Sequence, residues 1–420
     1  GGLYIGKWDN NSGGNPALIN LSGLDSLTST GGDLRISSNN ALTSLTGLGN
    51  LHTIGGGLYI GKWDNNSGGN PALISLSAFD NLTSISGDLW ISSNNALASL
   101  NGLGNLASIS GDLKISSNNA LASLNGLGNL ASISGDLKIS SNNALASLNG
   151  LGNLASISGN LIISSSDALT SLAGMGNLAF IGGSLTISGN LALTSLQGLE
   201  DLGHLGGGFT LYSNPALAAL TQMVNLNTIG GELKIHWSAL TSLEGFQNLT
   251  SIAGNLYIGL NNSLASLTGL DNISAASITS LEIINNSSLS TCHVQSICDY
   301  LVVPNGTVTI QDNAVGCSNP AEVQAACAMS IDEAIFDGFS ITPNPFSGML
   351  CIELDLPKTS LVSIQIFNAM GAKVAELHHG HLPAGQQQFT WHTGNLPKGL
   401  YFCRVQAGRE AFTQKIIKVQ

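Results

Sequence analysis

Charge is scarce in this chain. Only 9% of its 420 residues are Asp, Glu, Lys or Arg, and 13 basic residues face 25 acidic ones, a net charge of −12. Phosphate-binding surfaces need an excess of Lys and Arg, so the balance speaks against a nucleic-acid or anionic-membrane surface. No run of about 18 apolar residues occurs, so no transmembrane helix is expected. Apolar residues at i, i+3, i+4 and i+7 are nowhere sustained over a long helix. Aromatics make up only 5%, so where they gather carries information. What the chain does have is 43% hydrophobic residues and 52 glycines. The aliphatics are too many and too regular for disorder.

They are regular because the chain repeats. GDLKISSNNALASLNGLGNLASIS fills 111–134 and again 135–158, and 87–110 differs from it only by Trp90 in place of Lys114. A fixed period of 20 to 50 residues marks a solenoid, in which each unit buries its apolar side chains by stacking on its neighbours. The motif Leu-x-Ile starts at Leu3, Leu34, Leu58, Leu89, Leu113, Leu137, Leu161, Leu185, Phe209, Leu233, Leu256 and Leu281. The steps are 31, 24, 31, then 24 six times, then 23 and 25, which makes twelve turns. Both long steps carry the same insertion, GKWDNNSGG, at 6–14 and 61–69. The chain opens in mid-repeat at Gly1-Gly2-Leu3 and reads as a fragment or a processed form.

Leu-x-Ile has period 2 and predicts a short strand with both aliphatics inward. Glycines at the corners and the lack of helical spacing predict a parallel β-solenoid, with turns about 4.8 Å apart and a rod roughly 55–60 Å long. An Asn recurs three residues after the Ile, at Asn39, Asn94, Asn118, Asn142, Asn190, Asn214, Asn261 and Asn286, with Asn15 and Asn70 after the insertions. Inward at a corner, it would satisfy buried backbone groups. Ser166 and Ser238 interrupt this series. The pattern L-x-I-x-x-N-x-x-L-x-S-L-x-G-L-x-N-L-x-x-I resembles leucine-rich repeats, and more closely the receptor L-domain repeat. That resemblance implies a right-handed β-helix with three short sheets.

Residues 291–327 read as a terminal cap, which a solenoid needs to close its open core. A short helix is expected at 292–301, a strand at 307–313, and a helix at 319–327 with Asn319 as N-cap, Pro320 first and Glu322 third. Four of the six cysteines lie here. Register pairs Cys292 with Cys317, and Cys298 with Cys327 then follows by default, although four cysteines allow three connectivities. Such a cluster fits an oxidising compartment. A zinc site would prefer tight C-x-x-C spacing, which is missing.

Residues 328–338 read as a linker. From 339 the repeat stops, and short strands are expected at 349–356, 360–367, 372–378, 386–391, 399–407 and 411–419, which suggests a small Ig-like β-sandwich. The segment 339–420 resembles the C-terminal sorting domain of type IX secretion cargo from Bacteroidota. The residues that carry the match are Pro343-Asn344-Pro345, Gly348, Ile366-Phe367-Asn368, Gly371, Gly399-Leu400-Tyr401, Lys415 and Lys418. The resemblance implies an address tag read by an outer-membrane translocon, then removed by a sortase-like peptidase. Cys351 and Cys403 depart from the family's pattern. Alternation puts them on different faces, so they are not paired.

The outward position of Leu-x-Ile holds Tyr4, Arg35, Tyr59, Trp90, Lys114, Lys138, Ile162, Thr186, Thr210, Lys234, Tyr257 and Glu282. Eight of the eleven Tyr and Trp residues lie in the solenoid. Flat rings and Lys on a regular sheet suit a protein or glycan partner, although Tyr, Trp and Thr also favour strand surfaces for their own sake. The candidate binding residues are Tyr4, Arg35, Tyr59, Trp90, Lys114, Lys138, Lys234 and Tyr257, with Trp8 and Trp63 from the insertions. The inserted loop could also be read as a Ca²⁺ loop, but it lacks the bidentate Glu. Asp88, Asp112 and Asp136 stack at one corner and read as solvated turn residues, their repulsion offset by Lys114 and Lys138. His378, His379 and His381 read as an exposed turn. No metal or cofactor site and no nucleophile–base set can be picked out, so a catalyst is not expected.

The expected molecule is all-β: a right-handed parallel β-solenoid over 1–290, a helical disulfide cap, and a β-sandwich. It is exported as a secreted or cell-surface protein that binds a protein or glycan. A spacer without a ligand and a polysaccharide-active enzyme are the alternatives.

Overall fold

The computed structural model describes residues 1–7, 13–64, 68–332, 339–356, 359–394, 396–407 and 410–419. The chain divides into two compact units, 1–326 and 327–420.

The first unit is the solenoid. Its main sheet has 13 parallel strands, from Leu3–Gly6 to Val308–Gln311, stacked in chain order. The sequence motif sets the register, since Leu113 pairs with Leu137, Lys114 with Lys138, and Ile115 with Ile139. In this turn Leu113, Ile115, Leu121, Leu124, Leu127 and Leu130 are fully buried, so nearly every aliphatic of the repeat faces the axis. A second face carries two-residue strands in sheets of three and seven. The family resemblance implied three sheets. Among the described residues the remaining face is made of turns and short 3₁₀ segments, with one isolated bridge, Ser266 to Thr291. Gly126 shows why this side stays turned: its φ is +109°, and a Cβ there would lie 2.2 Å from the Leu100 carbonyl oxygen.

The inward Asn residues form a hydrogen-bonded column. The Asn118 Oδ1 accepts from the Asn94 backbone N–H (3.0 Å) and side-chain Nδ2 (3.3 Å), while its own Nδ2 donates to the Ile91 carbonyl at 2.9 Å. Ser166 weakens this column without cutting it, while Ser238 keeps only its bonds to the next rung, Asn261. The Ser166 Oγ accepts from the Asn142 N–H at 3.4 Å, and Ser238 donates its hydroxyl to the Asn261 Oδ1 at 2.7 Å. Outside the two inserted turns, the residue just before a column position adopts φ between +51° and +66°, as at Ser117 (57°) and Trp237 (54°). That left-handed step costs about 1 kcal/mol for a residue with a Cβ, and it turns the Asn inward.

The stacked aspartates also differ from the solvated turn expected of them. They are half-buried, and Asp88 Oδ1 accepts from the Asp112 N–H (2.9 Å) while Asp112 Oδ1 accepts from the Asp136 N–H (2.8 Å). The backbone dipoles offset their mutual repulsion. Among the described residues no ion pair joins them to Lys114 or Lys138.

The cap follows the expected plan with shifted bounds. The first helix is Gln295–Val302, and its Tyr300 is fully buried with its hydroxyl donating to the Thr279 carbonyl at 3.2 Å. Cys292 is bonded to Cys317, Cys298 and Cys327 are also disulfide-bonded, and Cys351 and Cys403 are free thiols. The second helix, Pro320–Asp332, runs into the stretch read as a linker; 333–338 lie outside the described residues. Asn319 caps it by accepting from the Glu322 N–H at 3.0 Å, and Glu322 reaches back to the Gly316 and Ser318 N–H groups, both at 2.9 Å. Those bonds, the Ser318 backbone bond first, hold the Glu322 pKa below its ordinary value.

The second unit is a sandwich of antiparallel sheets. One holds Phe339–Thr342, Met349–Leu356 and Gly385–His392; the other holds Lys373–Leu382, Ser360–Asn368, Gly399–Ala407 and Glu410–Lys418. Ile341, Leu350, Ile352 and Leu354 from one sheet meet Val362, Ile364, Ile366 and Val405 from the other in a single core. His378, His379 and His381 lie within the strand Lys373–Leu382 rather than in a turn. Cys403 is buried in the core and Cys351 is half-buried on the other side of its strand.

The candidate binding face and the sorting domain

Period-2 alternation puts the middle residue of each Leu-x-Ile strand on the outer face, and the pairing stacks these residues in one file. Tyr4 pairs with Arg35, Arg35 with Tyr59, Tyr59 with Trp90, and Trp90 with Lys114. The first turns interlock. The Arg35 guanidinium carbon lies 5.3 Å from the Tyr4 ring centroid, 4.9 Å from that of Tyr59 and 4.1 Å from that of Trp63, while its Nη2 donates to Asp33 at 2.6 Å. Trp63 reaches the face from the inserted loop, and Tyr59 meets Trp90 edge-on at 5.4 Å. The Tyr59 hydroxyl donates to Asp88 at 3.1 Å. Burial, then the nearby Asp88 carboxylate, raises its pKa to about 12. Lys114 does not pair with the aspartates; its Nζ sits 4.7 Å over the Trp90 ring. Burial, then Lys138 and Lys62, lowers its pKa. Beside them lies a shallow depression of about 340 Å³ lined by Lys62, Trp63, Ser93, Lys114, Ser117 and Lys138. Trp8 lies outside the described residues, as do Asn65, Asn66 and Ser67 of the second loop, so the Ca²⁺ reading falls largely there.

Lys234 and Tyr257 stand seven and eight strands beyond Tyr59, with Lys234 Nζ 5.1 Å over the Tyr257 ring. They are not part of the first cluster. They belong to a second one, which the Leu-x-Ile file alone did not show: Tyr212, His236 and Trp237 come from the two positions after the motif. Tyr212 stacks on His236 at 4.3 Å, and His236 meets Tyr257 edge-on at 5.6 Å. Burial, then Lys234, lowers the His236 pKa below 6.5. The overlooked signal was four aromatic rings within 46 residues of a chain this poor in them. Between the clusters the face is Lys138, Ile162, Thr186 and Thr210. No group of three or more His, Cys, Asp or Glu residues suited to a metal occurs among the described residues.

In the sandwich, most motif residues hold the fold. The Asn344 side chain donates to the Lys415 carbonyl at 2.8 Å and accepts from the Ile417 N–H at 3.0 Å, so 343–345 closes over the last strand. Gly371 (φ +79°) and Asn368 form the hairpin turn, with the Asn368 Oδ1 accepting from Met370 and Ala372. Gly348 offers its carbonyl to the Thr393 N–H at 3.0 Å, and Gly399 begins its strand with φ +153°. Tyr401 is buried and its hydroxyl donates to the Pro397 carbonyl at 2.8 Å. The basic end splits in two. Lys415 is exposed, whereas Lys418 is 4% exposed and donates to the Ser347 carbonyl (2.9 Å) and the Thr393 hydroxyl (2.8 Å).

Comparison with known families agrees with both units. Residues 340–419 match the model of the secretion system C-terminal sorting domain, and residues 81–149 and 129–206 match that of the receptor L domain. No curated protein matches the chain. No helix among the described residues is long and apolar enough to cross a membrane. The chain thus joins a receptor L-domain solenoid to a type IX C-terminal sorting domain, which marks it for secretion or attachment at the cell surface.

Proposed function

We propose that the solenoid is a binding module displayed outside the cell, and that an extracellular protein or glycan docks on Tyr4, Arg35, Tyr59, Trp63, Trp90, Lys114 and Lys138. The observation that carries this reading is the Arg35 guanidinium held against three aromatic rings on an outer strand face. Clusters of Trp, Tyr and Arg are the residue types that dominate binding energy at interfaces. The cluster is also pre-organised, and Arg35 Nε and Trp90 Nε1 are buried donors without an acceptor among the described residues.

The role is adhesive rather than catalytic in this reading. The carboxylates of the repeat are committed to backbone N–H groups of the next turn, and repeated residues serve the scaffold. Turnover on a polysaccharide panel would overturn that part. The translocon and a sortase-like peptidase are the partners of the sorting domain; the mass of the exported protein should show 339–420 removed. For the binding module, the test is attachment of the full chain to cells and to a glycan array. Trp63→Ala with Trp90→Ala, and Arg35→Ala, should each abolish attachment with the thermal transition retained. Attachment indifferent to all three, or absent from the parent, would leave the spacer reading, which the near-identical turns over 87–158 favour.

A further inference from the structure

We propose that the solenoid carries a second binding site, a platform for a neutral sugar ring built on Tyr212, His236 and Trp237. It shares no residue with the face around Arg35 and stands independently of that reading.

Trp237 is the starting point. It occupies the left-handed corner, φ +54°, that six other turns fill with Ser. A bulky side chain is costly at such a φ, and strain of this kind collects at ligand sites. Packing does not repay it, because Trp237 remains 51% exposed. Its ring does stack on a neighbour. It lies 5.6 Å from Tyr212 with the planes 17° apart, and Tyr212 stacks in turn on His236 with the planes 24° apart. The result is a stacked aromatic surface, open to solvent on the Trp237 side.

Beside it lies an open hollow of about 350 Å³, lined by Ser213, Pro215, Asn262 and Ser263 among others. None of its lining residues is charged. A pyranose offers a C–H face that packs on a flat ring and a rim of hydroxyls that bond to Ser and Asn. An anionic ligand would call for a cationic lining, and the nearby Lys234 lies over Tyr257 instead. A protein partner would need a contact of roughly 800 Å² on its own side, far more than this patch offers.

The test is calorimetric titration of the full chain with neutral hexasaccharides of glucose, mannose and N-acetylglucosamine. At least one should bind saturably, and Trp237→Ser should weaken it about tenfold or more. Ser is the native corner residue elsewhere, so this variant should keep the thermal transition. Tyr212→Ser, which copies Ser188 one strand earlier in the register, should weaken binding as well. Three results overturn the proposal: no binding by any of the three sugars, equal binding by Trp237→Ser, or binding that survives Trp237→Ser and is lost in Trp90→Ala.

Discussion

The Asn column can be tested by removing one rung and restoring another. In Asn118→Ala the Asn94 N–H, 3.0 Å from the lost Oδ1, is left in a fully buried site with no acceptor. That desolvated donor costs about 1–3 kcal/mol. The Ile91 carbonyl also loses its 2.9 Å bond from Nδ2, for about 0.5–1.5 kcal/mol more. Asn94 Nδ2 keeps its bonds to the Ile60 and Ser92 carbonyls and adds nothing to the cost. The sum is about 1.5–4.5 kcal/mol before any cavity term. Asn118→Ser should cost less, because Ser166 shows that a hydroxyl can take the N–H of the preceding rung. Ser166→Asn is the reverse experiment: the new amide would make, to the Ile139 carbonyl and to Asn190, the paired bonds that Asn190 makes to the Ile163 carbonyl and to Asn214. It should stabilise by about 1 kcal/mol. Urea unfolding of the full chain, followed by far-ultraviolet circular dichroism, gives all three values if m is unchanged. If Asn118→Ala lies within about 0.5 kcal/mol of the parent, or Ser166→Asn destabilises, the column is not what holds the corners.

His236 titrates below 6.5 in the fold, so the unfolded chain takes up its proton first, and stability should fall as pH drops below about 6.5 towards the folded pKa. His236→Gln should flatten that part of the profile; an unchanged slope would contradict the burial argument. The Cys403 thiol is buried in the sandwich core and its pKa is raised to about 12 by desolvation, so a thiol reagent at pH 8 should label Cys351 in the native protein and Cys403 only after unfolding. Equal rates would refute the assigned faces. Lys418→Met should leave the Ser347 carbonyl and the Thr393 hydroxyl short of a donor at a cost of about 1–3 kcal/mol, speeding proteolysis of 339–420 and lowering export. Lys415→Met should leave the proteolysis pattern as it is, and neutrality of both variants would refute the division of the basic end. Deleting 111–134 should bring the Leu89–Ser92 and Leu137–Ser140 strands into register and leave a cooperative fold; aggregation of the shortened chain would refute the interchangeability of the turns.

What could be read from the sequence was whatever repeats. Leu-x-Ile gave the strands, their register and the outward file because side-chain direction in a strand depends only on parity. The inward Asn was legible for a similar reason, since its recurrence leaves a polar group nowhere to go but a backbone partner. The aspartate corner was misread because sequence shows the charge of a side chain and not the N–H of the next turn. The second aromatic cluster was missed because Tyr212, His236 and Trp237 depart from the repeat, at the fourth and fifth positions of the turn rather than the second. In the sandwich, strand positions were legible from turn residues, but the histidines were assigned to a turn because a Gly stands among them. That Gly380 lies inside the strand, paired with Val362.

The two kinds of position in each turn evolve under different physical limits. An inward residue touches the same residue of the turns on either side, as Leu113 meets Leu137, so a change of size there must be matched twice in a close-packed core. An outward residue meets its two neighbours in the file, solvent and at most a few surface side chains, as Arg35 meets Asp33 and Trp63. Copying a turn therefore preserves the inside for nothing and leaves the outside open to change, which is the observed pattern: over 87–158 the single difference is Trp90 against Lys114 and Lys138. Five strand steps separate Trp90 from Tyr212, about 24 Å at the usual spacing. Each further copy would move the two aromatic clusters apart by about 4.8 Å without altering either one. The repeat thus sets the distance between clusters, while the residues that break it supply their chemistry.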